Sequence, residues 1–430
     1  MKNRKTMASV PVSIPKRRFP EFRARDAWQK RKLSYLLSEP KQRNRDLKFG
    51  ANDVLSVSGE FGCVNQIALL GRSYAGASVE NYHVVQAGDV VYTKSPLKRN
   101  PYGIIKANKG RAGIVSTLYA VYRPTAEALA DYLDYYFSND YHLNSYLQPI
   151  VKKGAKNDMK VNNSDVLTGE VWVPEIDEQQ KIAECLSTFD ELIVATGQKL
   201  DALKAHKKGL MQQLCPREGE TVPRLRFPEF QDAPDWKSDS LGKIFNTASG
   251  GTPSRAEKSY WNGSIPWITT SLVDFRVITG ADEFITAQGL EKSSAKLFPK
   301  GTVLMAMYGQ GKTRGQVALL AVEVATNQAC AAILPRSDID PYFVFLNLAG
   351  RYEEIRRISN AGGQENLSQD LIRGIAFSFP ESEDEQRKVT DCLSFLDDLI
   401  TAQSDQLETL KAHKKGLMQQ LFPSPAMTDA

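Results

Sequence analysis

Five cysteines in 430 residues, with no CxxC among them, give no disulfide frame and no zinc knuckle to expect. Histidine is scarcer still: His83, His142, His206 and His413 are scattered, and no Ser-His-Asp or metal-ligating constellation can be assembled from them. No stretch approaches about 18 consecutive apolar residues, and the first thirty residues lack the apolar core of a signal peptide, so a cytoplasmic chain without membrane contact is expected. Two motifs are almost present and fail on one residue each. "YGQGKTRG" (308–315) would be a phosphate-binding loop if position 306 were glycine, but it is Ala306, and the following "RGQVALLAV" reads as a strand where a helix is required. "NPY" (100–102) lacks the second proline of the amino-methyltransferase motif [DN]PP[YF]. Neither a catalytic residue, a bound cofactor nor a metal site is expected on this chain.

What is present is ordinary in bulk and uneven in detail. With 42% hydrophobic and 24% charged residues the chain is globular, and its length suits two domains with connecting structure. The net charge is only +5, yet residues 16–48 carry twelve Lys/Arg against four Asp/Glu, and 94–111 hold six basic residues and no acid. Such patches are either solvated faces or tracks for phosphates, which reward clustered Lys and Arg through counterion release.

The strongest signal is a repeat. "LKAHKKGLMQQL" occurs at 203–214 and again at 410–421. Extended backwards, the first copy places Ile182, Leu186, Phe189, Ile193, Thr196, Leu200, Leu203, Lys207, Leu210 and Leu214 at alternating steps of four and three. The second repeats the register with Val389, Leu393, Leu396, Ile400, Gln403, Leu407, Leu410, Lys414, Leu417 and Leu421. This is a heptad seam of about five heptads. Asp177 and Glu178 suit the start of one helix, Ser382 and Glu385 have capping-box spacing at the start of the other, and Pro216 and Pro423 end them. Rods of about 37 residues, roughly 55 Å, most simply pack on each other. A whole domain lies between them, so they are expected to run antiparallel. Lys207 and Lys414, polar at interior seam positions, suit the fixing of register. His206 and His413 suit the rim. Gly209 and Gly416 leave two readings open: fraying near the helix end or close approach of another backbone. The duplication also runs forwards: "RRFPEF" (17–22) is echoed by "LRFPEF" (225–230), and Trp28 by Trp236. Between these landmarks the two halves differ.

Each half-domain reads as α+β. The first has strands in 89–94 and 113–123, one helix over 128–147, and a Lys-, Gly- and Asn-rich loop. The second has strands in "TVLMAMYG" and "GQVALLAV" and a helix in "PYFVFLNLAGRYEEIRRI". Its segment 249–273 mixes Gly, Ser, Thr and aromatics, which suits a surface of hydrogen-bonding groups or a long loop.

On the duplicated rods, the paired RFPEF segments and "GGTPSR…YWNGSIPWI…GQGKTRGQVA…TNQACAAI", the chain resembles the specificity subunit of a type I restriction–modification enzyme from about residue 15 to 423. The resemblance implies an α+β protein with two pseudo-twofold-related globular target recognition domains, separated by two long helices packed as an antiparallel coiled coil. The expected boundaries are a basic lead-in at 1–23, recognition domain 1 at 24–174, and a central helix at 175–215. A second lead-in at 216–233, recognition domain 2 at 234–380, a C-terminal helix at 381–423 and a tail at 424–430 follow. It implies a non-catalytic subunit that binds a split site in double-stranded DNA. The partners are two methyltransferase subunits and restriction/translocase subunits, to which S-adenosylmethionine, ATP and Mg belong.

The residues expected at the DNA are Lys94, Lys98, Arg99, Lys109, Arg111, Lys152, Lys153 and Lys156 in the first domain. In the second they are Arg255, Tyr260, Trp267, Thr269, Tyr308, Gln310, Lys312, Thr313 and Arg314. Basic members would position on phosphates; amides, hydroxyls and arginines would read bases. Rod packing and docking are expected of Ile182, Leu186, Ile193, Leu203, Lys207, Leu210, Leu214, Val389, Leu393, Ile400, Leu410, Lys414, Leu417 and Leu421, with Met211 and Met418 contributing to the docking face. Three rivals remain: a coiled-coil scaffold that reads no DNA, a nucleotide hydrolase using "GQGKT", and the specificity subunit of a fused or type II-like system.

Overall fold

A computed structural model of the chain describes residues 12–153, 159–217, 219–309, 312–358 and 366–423. It is a mixed α/β protein that divides into two compact units, 1–196 with 406–430 and 197–405. Two 39-residue helices, Ile176–Leu214 and Glu383–Leu421, each contribute to both units. At 1.5 Å per residue each is about 58 Å long. Along both, the heptad positions named above are buried or half-buried and the residues between them are largely exposed. The seam periodicity is therefore the burial periodicity.

Within unit 1, Ile182 and Leu186 of the first helix share a core with Leu417, Met418 and Leu421 of the second. His413 sets its ring edge against Phe189 at 5.2 Å. Numbers fall along one helix as they rise along the other, so the contacting segments run antiparallel. Unit 2 repeats this with Leu210, Met211 and Leu214 against Val389, Leu393 and Leu396. Gly209 and Gly416 lie inside the helices, and an added Cβ would meet nothing within 4 Å in the chain. Neither fraying nor close backbone approach within the chain accounts for them.

The domain of unit 1 is built on an antiparallel sheet in the order Leu37–Ser38, Tyr119–Pro124, Val90–Thr93, Ile104–Ala107. Its strands at 90–93 (inner) and 104–107 (edge) are buried along their length. The single helix expected over 128–147 is two, Ala130–Phe137 and Asp140–Leu147. The Asn139 side chain accepts from the N–H groups of Tyr141 and His142, which caps a new helix and stops the old one.

Unit 2 holds a five-stranded sheet in the order Thr247–Ser249, Cys330–Ile333, Val303–Ala306, Val317–Leu320, Val277–Ile278, with the last pair parallel. A second sheet runs Glu283–Ile285, Trp261–Ile268, Val324–Thr326, Leu297–Phe298. The segment expected as a polar surface or loop at 249–273 thus contains an eight-residue strand, 261–268, that pairs on both sides. Glycine and serine disguise it, but Trp267 and Ile268 face inward. The five cysteines are free. Among the described residues, no helix is long and apolar enough to cross a membrane, and no cluster of His, Cys, Asp and Glu could hold a metal.

Candidate nucleic-acid interface

The frame that carries the two domains is duplicated contact by contact. In unit 1, the Arg18 guanidinium forks onto Glu178, donating Nε to Oε1 at 2.8 Å and Nη2 to Oε2 at 2.7 Å. Its remaining donors reach the carbonyls of Arg25 and Asp26, and Trp28 donates its indole N–H to the same carboxylate at 3.2 Å. Unit 2 has Arg226 forked onto Glu385, its spare donors on the carbonyls of Ala233 and Pro234, and Trp236 donating to Glu385 at 2.9 Å. Both ion pairs are buried, with side-chain exposures of 8% or less, and nearly every polar atom is satisfied, the condition under which a buried pair holds.

Gln179 and Gln386 repeat a second device. Each donates to the carbonyl of the proline before its helix (Pro174, Pro380) and accepts a backbone N–H from its domain (Leu129, Asp340). A third is Lys181–Glu21 and Lys388–Glu229, each lysine also lying over a phenylalanine ring, Phe19 or Phe227. The backbone N–H groups of Arg17 and Leu225 bond to the carbonyls of Gln420 and Gln213 in the repeated dodecapeptide. Glu385 is therefore not the return half of a capping box. Ser382 does cap its N–H at 3.3 Å, but the carboxylate is engaged by arginine and tryptophan.

Of the basic side chains at 16–32, Arg18 thus belongs to this frame. The charge at 41–48 does not. Asn44 N–H bonds to Tyr82 O and Val84 N–H to Gln42 O, which lays this segment along strand His83–Val85. Lys94 arrives beside it: burial, Arg43 and Lys94 together push the His83 imidazole down to about 4. Burial, reinforced by Arg43 and opposed by Glu39, holds the half-buried Lys94 ammonium below its usual value.

Lys98 and Arg99 are exposed on the loop joining strands 90–93 and 104–107. That loop closes at Gly103, with φ +93°, where a Cβ would sit 2.0 Å from the Thr93 carbonyl oxygen. Arg111 and Lys152 are also exposed. Lys109 is exposed but paired with Asp131 and Asp134, its ammonium 4.2 Å from the centre of the Tyr135 ring. The Lys153 side chain and Lys156 lie outside the described residues.

In unit 2, Arg255 is exposed but held: it pairs with Glu283 at 2.5 Å and stacks 3.7 Å from the Trp261 ring centre. Tyr260, Thr269 and Thr313 are half-buried, and Tyr308 and Lys312 are exposed. Gln310 lies outside the described residues. Trp267 and Arg314 are corrections to the expected DNA surface. Trp267 is 2% exposed and donates its indole N–H to the Gly251 carbonyl. Arg314 is 7% exposed and donates to the Arg356 carbonyl. Both are built into the domain: Trp267 lies on a strand in a stretch expected as polar surface or loop, and Arg314 is held at the base of its hairpin turn by the Arg356 carbonyl. The hairpin also disposes of the nucleotide reading of "GQGKT", since residues 317–320 pair antiparallel with 303–306 and offer no helix N-terminus to a phosphate.

Comparison with known proteins fits this architecture. Residues 234–412 match the type I restriction modification DNA specificity domain. The type I restriction enzyme MjaIX specificity subunit of Methanocaldococcus jannaschii is 30% identical over 182 residues, 41% of each chain. The EcoR124I/EcoR124II specificity subunit of Escherichia coli is 26% identical over 53% of this chain and 54% of its own. The alignments thus span about two-fifths to half the length of these relatives. Among solved structures, the S subunit of a type I restriction–modification system from M. genitalium shares the fold, with a TM-score of 0.55 at 15% identity, covering 96% of this chain and 100% of that one. A chain from a study of assembly and conformational transition in the type I R-M system gives 0.58 at 15% identity, covering 97% and 100%.

Proposed function

We propose, from the match of residues 234–412 to the type I restriction modification DNA specificity domain, that the chain belongs to that family and is the non-catalytic DNA-reading subunit of such a system. Two α+β recognition domains each read one part of a split, asymmetric site in double-stranded DNA. The paired helices act as an antiparallel coiled coil that fixes the gap, with half-sites about one DNA turn, roughly 34 Å, apart. The same helices, with the lead-in segments, dock two methyltransferase subunits and the restriction/translocase subunits in the cytoplasm. S-adenosylmethionine, ATP and Mg are handled by those partners.

The observation that carries this reading is the frame repeated contact by contact around domains of different topology. A protein that must hold two identical partners while reading two different sequences needs such a division. Exposed Lys98, Arg99, Arg111 and Lys152 supply phosphate contacts in the first domain, and Tyr308 and Lys312 face outward in the second.

A base-resolution adenine-methylation map of cells expressing the chain with its methyltransferase subunit tests it. Two short motifs at one fixed spacing, lost when the chain is omitted, are expected. An assembled complex that methylates no such motif would leave a coiled-coil scaffold as the better description.

A further inference from the structure

Each unit contains one Tyr–Asp–Lys triad that ties its domain to both long helices. In unit 2, the Lys207 ammonium sits 2.5 and 2.6 Å from the two carboxylate oxygens of Asp397, and Tyr342 donates its hydroxyl to Asp397 Oδ2 at 2.7 Å. In unit 1, Lys414 donates to Asp190 Oδ1 and Tyr135 donates to Asp190 Oδ2 at 2.7 Å. The lysine and the aspartate come from different long helices, and the tyrosine comes from the domain. The residue numbers of the two Lys–Asp pairs add to the same total, so one antiparallel register satisfies both.

These lysines sit in the seam with only 16% and 18% of their side-chain surface exposed. A leucine seam repeats every heptad, so apolar packing alone tolerates a slip of seven residues. The triads do not. A slip in either direction would set Lys207 against Thr390 or Ser404 in place of Asp397. It would set Lys414 against Ala183 or Gly197 in place of Asp190. Both ammonium groups would then lie in the seam without a countercharge, while Asp190 and Asp397, still held by Tyr135 and Tyr342, would lose their lysines. The backbone bonds from Arg17 and Leu225 to the helix ends carry no side-chain identity and do not supply this discrimination.

We propose that the triads Tyr342–Asp397–Lys207 and Tyr135–Asp190–Lys414 are the register lock of the paired helices and thereby set which gap between half-sites the protein accepts. Lys207, Lys414, Asp190 and Asp397 are positioning residues: they touch no base, and their effect reaches the DNA as spacing. The second clause rests on the DNA-reading function proposed above; the first does not.

The test uses the full chain in three forms: wild type, Lys207→Met with Lys414→Met, and the exchanged form Lys207→Asp, Asp397→Lys, Lys414→Asp, Asp190→Lys. In the methylation map, the methionine form is expected to keep both half-site sequences but methylate them at more than one gap length. The exchanged form is expected to return to the single wild-type gap. A methionine form that assembles and methylates only at the wild-type gap overturns the proposal. Should the methionine form fail to fold, the exchanged form decides: the native gap supports the lock, and an assembled complex with no fixed gap refutes it. Should wild type itself yield no two-part motif, the DNA-reading function falls while the lock is still read directly. A double-mutant cycle between Lys207→Met and Asp397→Leu in unfolding experiments is then expected to show coupling of about tenfold in the unfolding equilibrium, and additive effects would refute the lock.

Discussion

The two units agree where they meet the long helices and differ in the domains they carry. Arg18, Trp28 and Glu178 in one do what Arg226, Trp236 and Glu385 do in the other, down to which guanidinium nitrogen meets which carboxylate oxygen. Yet one domain is built on a four-stranded antiparallel sheet, and the other on five- and four-stranded sheets with parallel pairs. A frame can stay constant around different contents if its contacts end on backbone carbonyls and helix-borne carboxylates, as these do. The comparison is sharpest if it is broken at the clamps. Arg18→Met leaves Glu178 buried without its partner, and Arg226→Met does the same to Glu385. Each is expected to cost about 3–5 kcal/mol. Urea unfolding followed by tryptophan fluorescence reports on both, because Trp28 and Trp236 sit on the affected carboxylates. Similar losses in the two variants would show equivalent clamps; an unchanged midpoint for either would show that one clamp is idle.

The symmetry fails at one position of the frame. After the repeated dodecapeptide comes Phe422 in unit 1 and Cys215 in unit 2. Phe422 is 1% exposed and lies between 5.6 and 6.4 Å from the rings of Tyr132, Tyr136, His142 and Trp28, while the next carbonyl, of Pro423, is 3.1 Å from His142 Nε2. Removing such a ring from a packed aromatic core is expected to cost about 3–5 kcal/mol. Phe422→Ala should therefore lower the unfolding midpoint markedly, whereas Cys215→Ala, with a small side chain to lose, should cost about 1 kcal/mol. Comparable effects would mean that the aromatic nest is not what anchors the end of the second helix.

Acid should also separate the halves. The buried histidines, His83 and His142, both belong to unit 1, and each has a ring Nδ1 without a partner among the described residues. The single histidine of unit 2, His206, is exposed. Burial, with Arg43 and Lys94, pushes His83 down to about 4 from an ordinary 6.5; burial lowers His142 in the same direction. A histidine kept neutral in the fold contributes its full stability above about pH 6.5. That contribution is lost as pH falls towards about 4, because the unfolded chain takes up the proton first. Hydrogen exchange at pH 7 and pH 5 should show unit 1 loosening more than unit 2, and His83→Gln should flatten the difference. Equal loosening of the two units would break this part of the comparison.

The seam residues can be read from the sequence because a heptad repeat is a statement about burial, and each named position is buried or half-buried. A common displacement between the halves also picks out the RFPEF segments and both tryptophans. The clamps are not visible there, although Arg18 and Arg226 lie inside those very segments, because an acid at a helix start already has an ordinary explanation in the helix dipole. Only the folded chain distinguishes Glu385 as a cap from Glu385 as the acceptor of Arg226. In the domains, composition misleads in a consistent direction. Asn262, Gly263 and Ser264 make "YWNGSIPWI" look like a loop, yet one strand runs through them, and Trp267 is drawn inward with it; Arg314, beside a strand already legible in the sequence, is buried all the same. A charged or aromatic residue in a polar stretch signals an interface only if the stretch is a loop, and pairing between distant strands decides that.

The smallest expected effect tests the two basic surfaces against each other. Lys98 and Arg99 are exposed on a loop, so their double alanine variant should weaken binding to any duplex alike and reduce the salt slope of log K by about two. Arg255 carries the same formal charge but is tied to Glu283 and stacked on Trp261. Arg255→Ala should leave the slope nearly unchanged and instead lower the thermal stability of unit 2, since the tryptophan face and the carboxylate lose their common partner. Fluorescence anisotropy of the assembled complex with matched and scrambled duplexes, between about 50 and 200 mM salt, measures the first effect. A thermal melt measures the second. If Arg255→Ala lowered the slope as Lys98→Ala does, its ion pair would have to open on DNA, and exposure rather than pairing would be the better guide to phosphate contact.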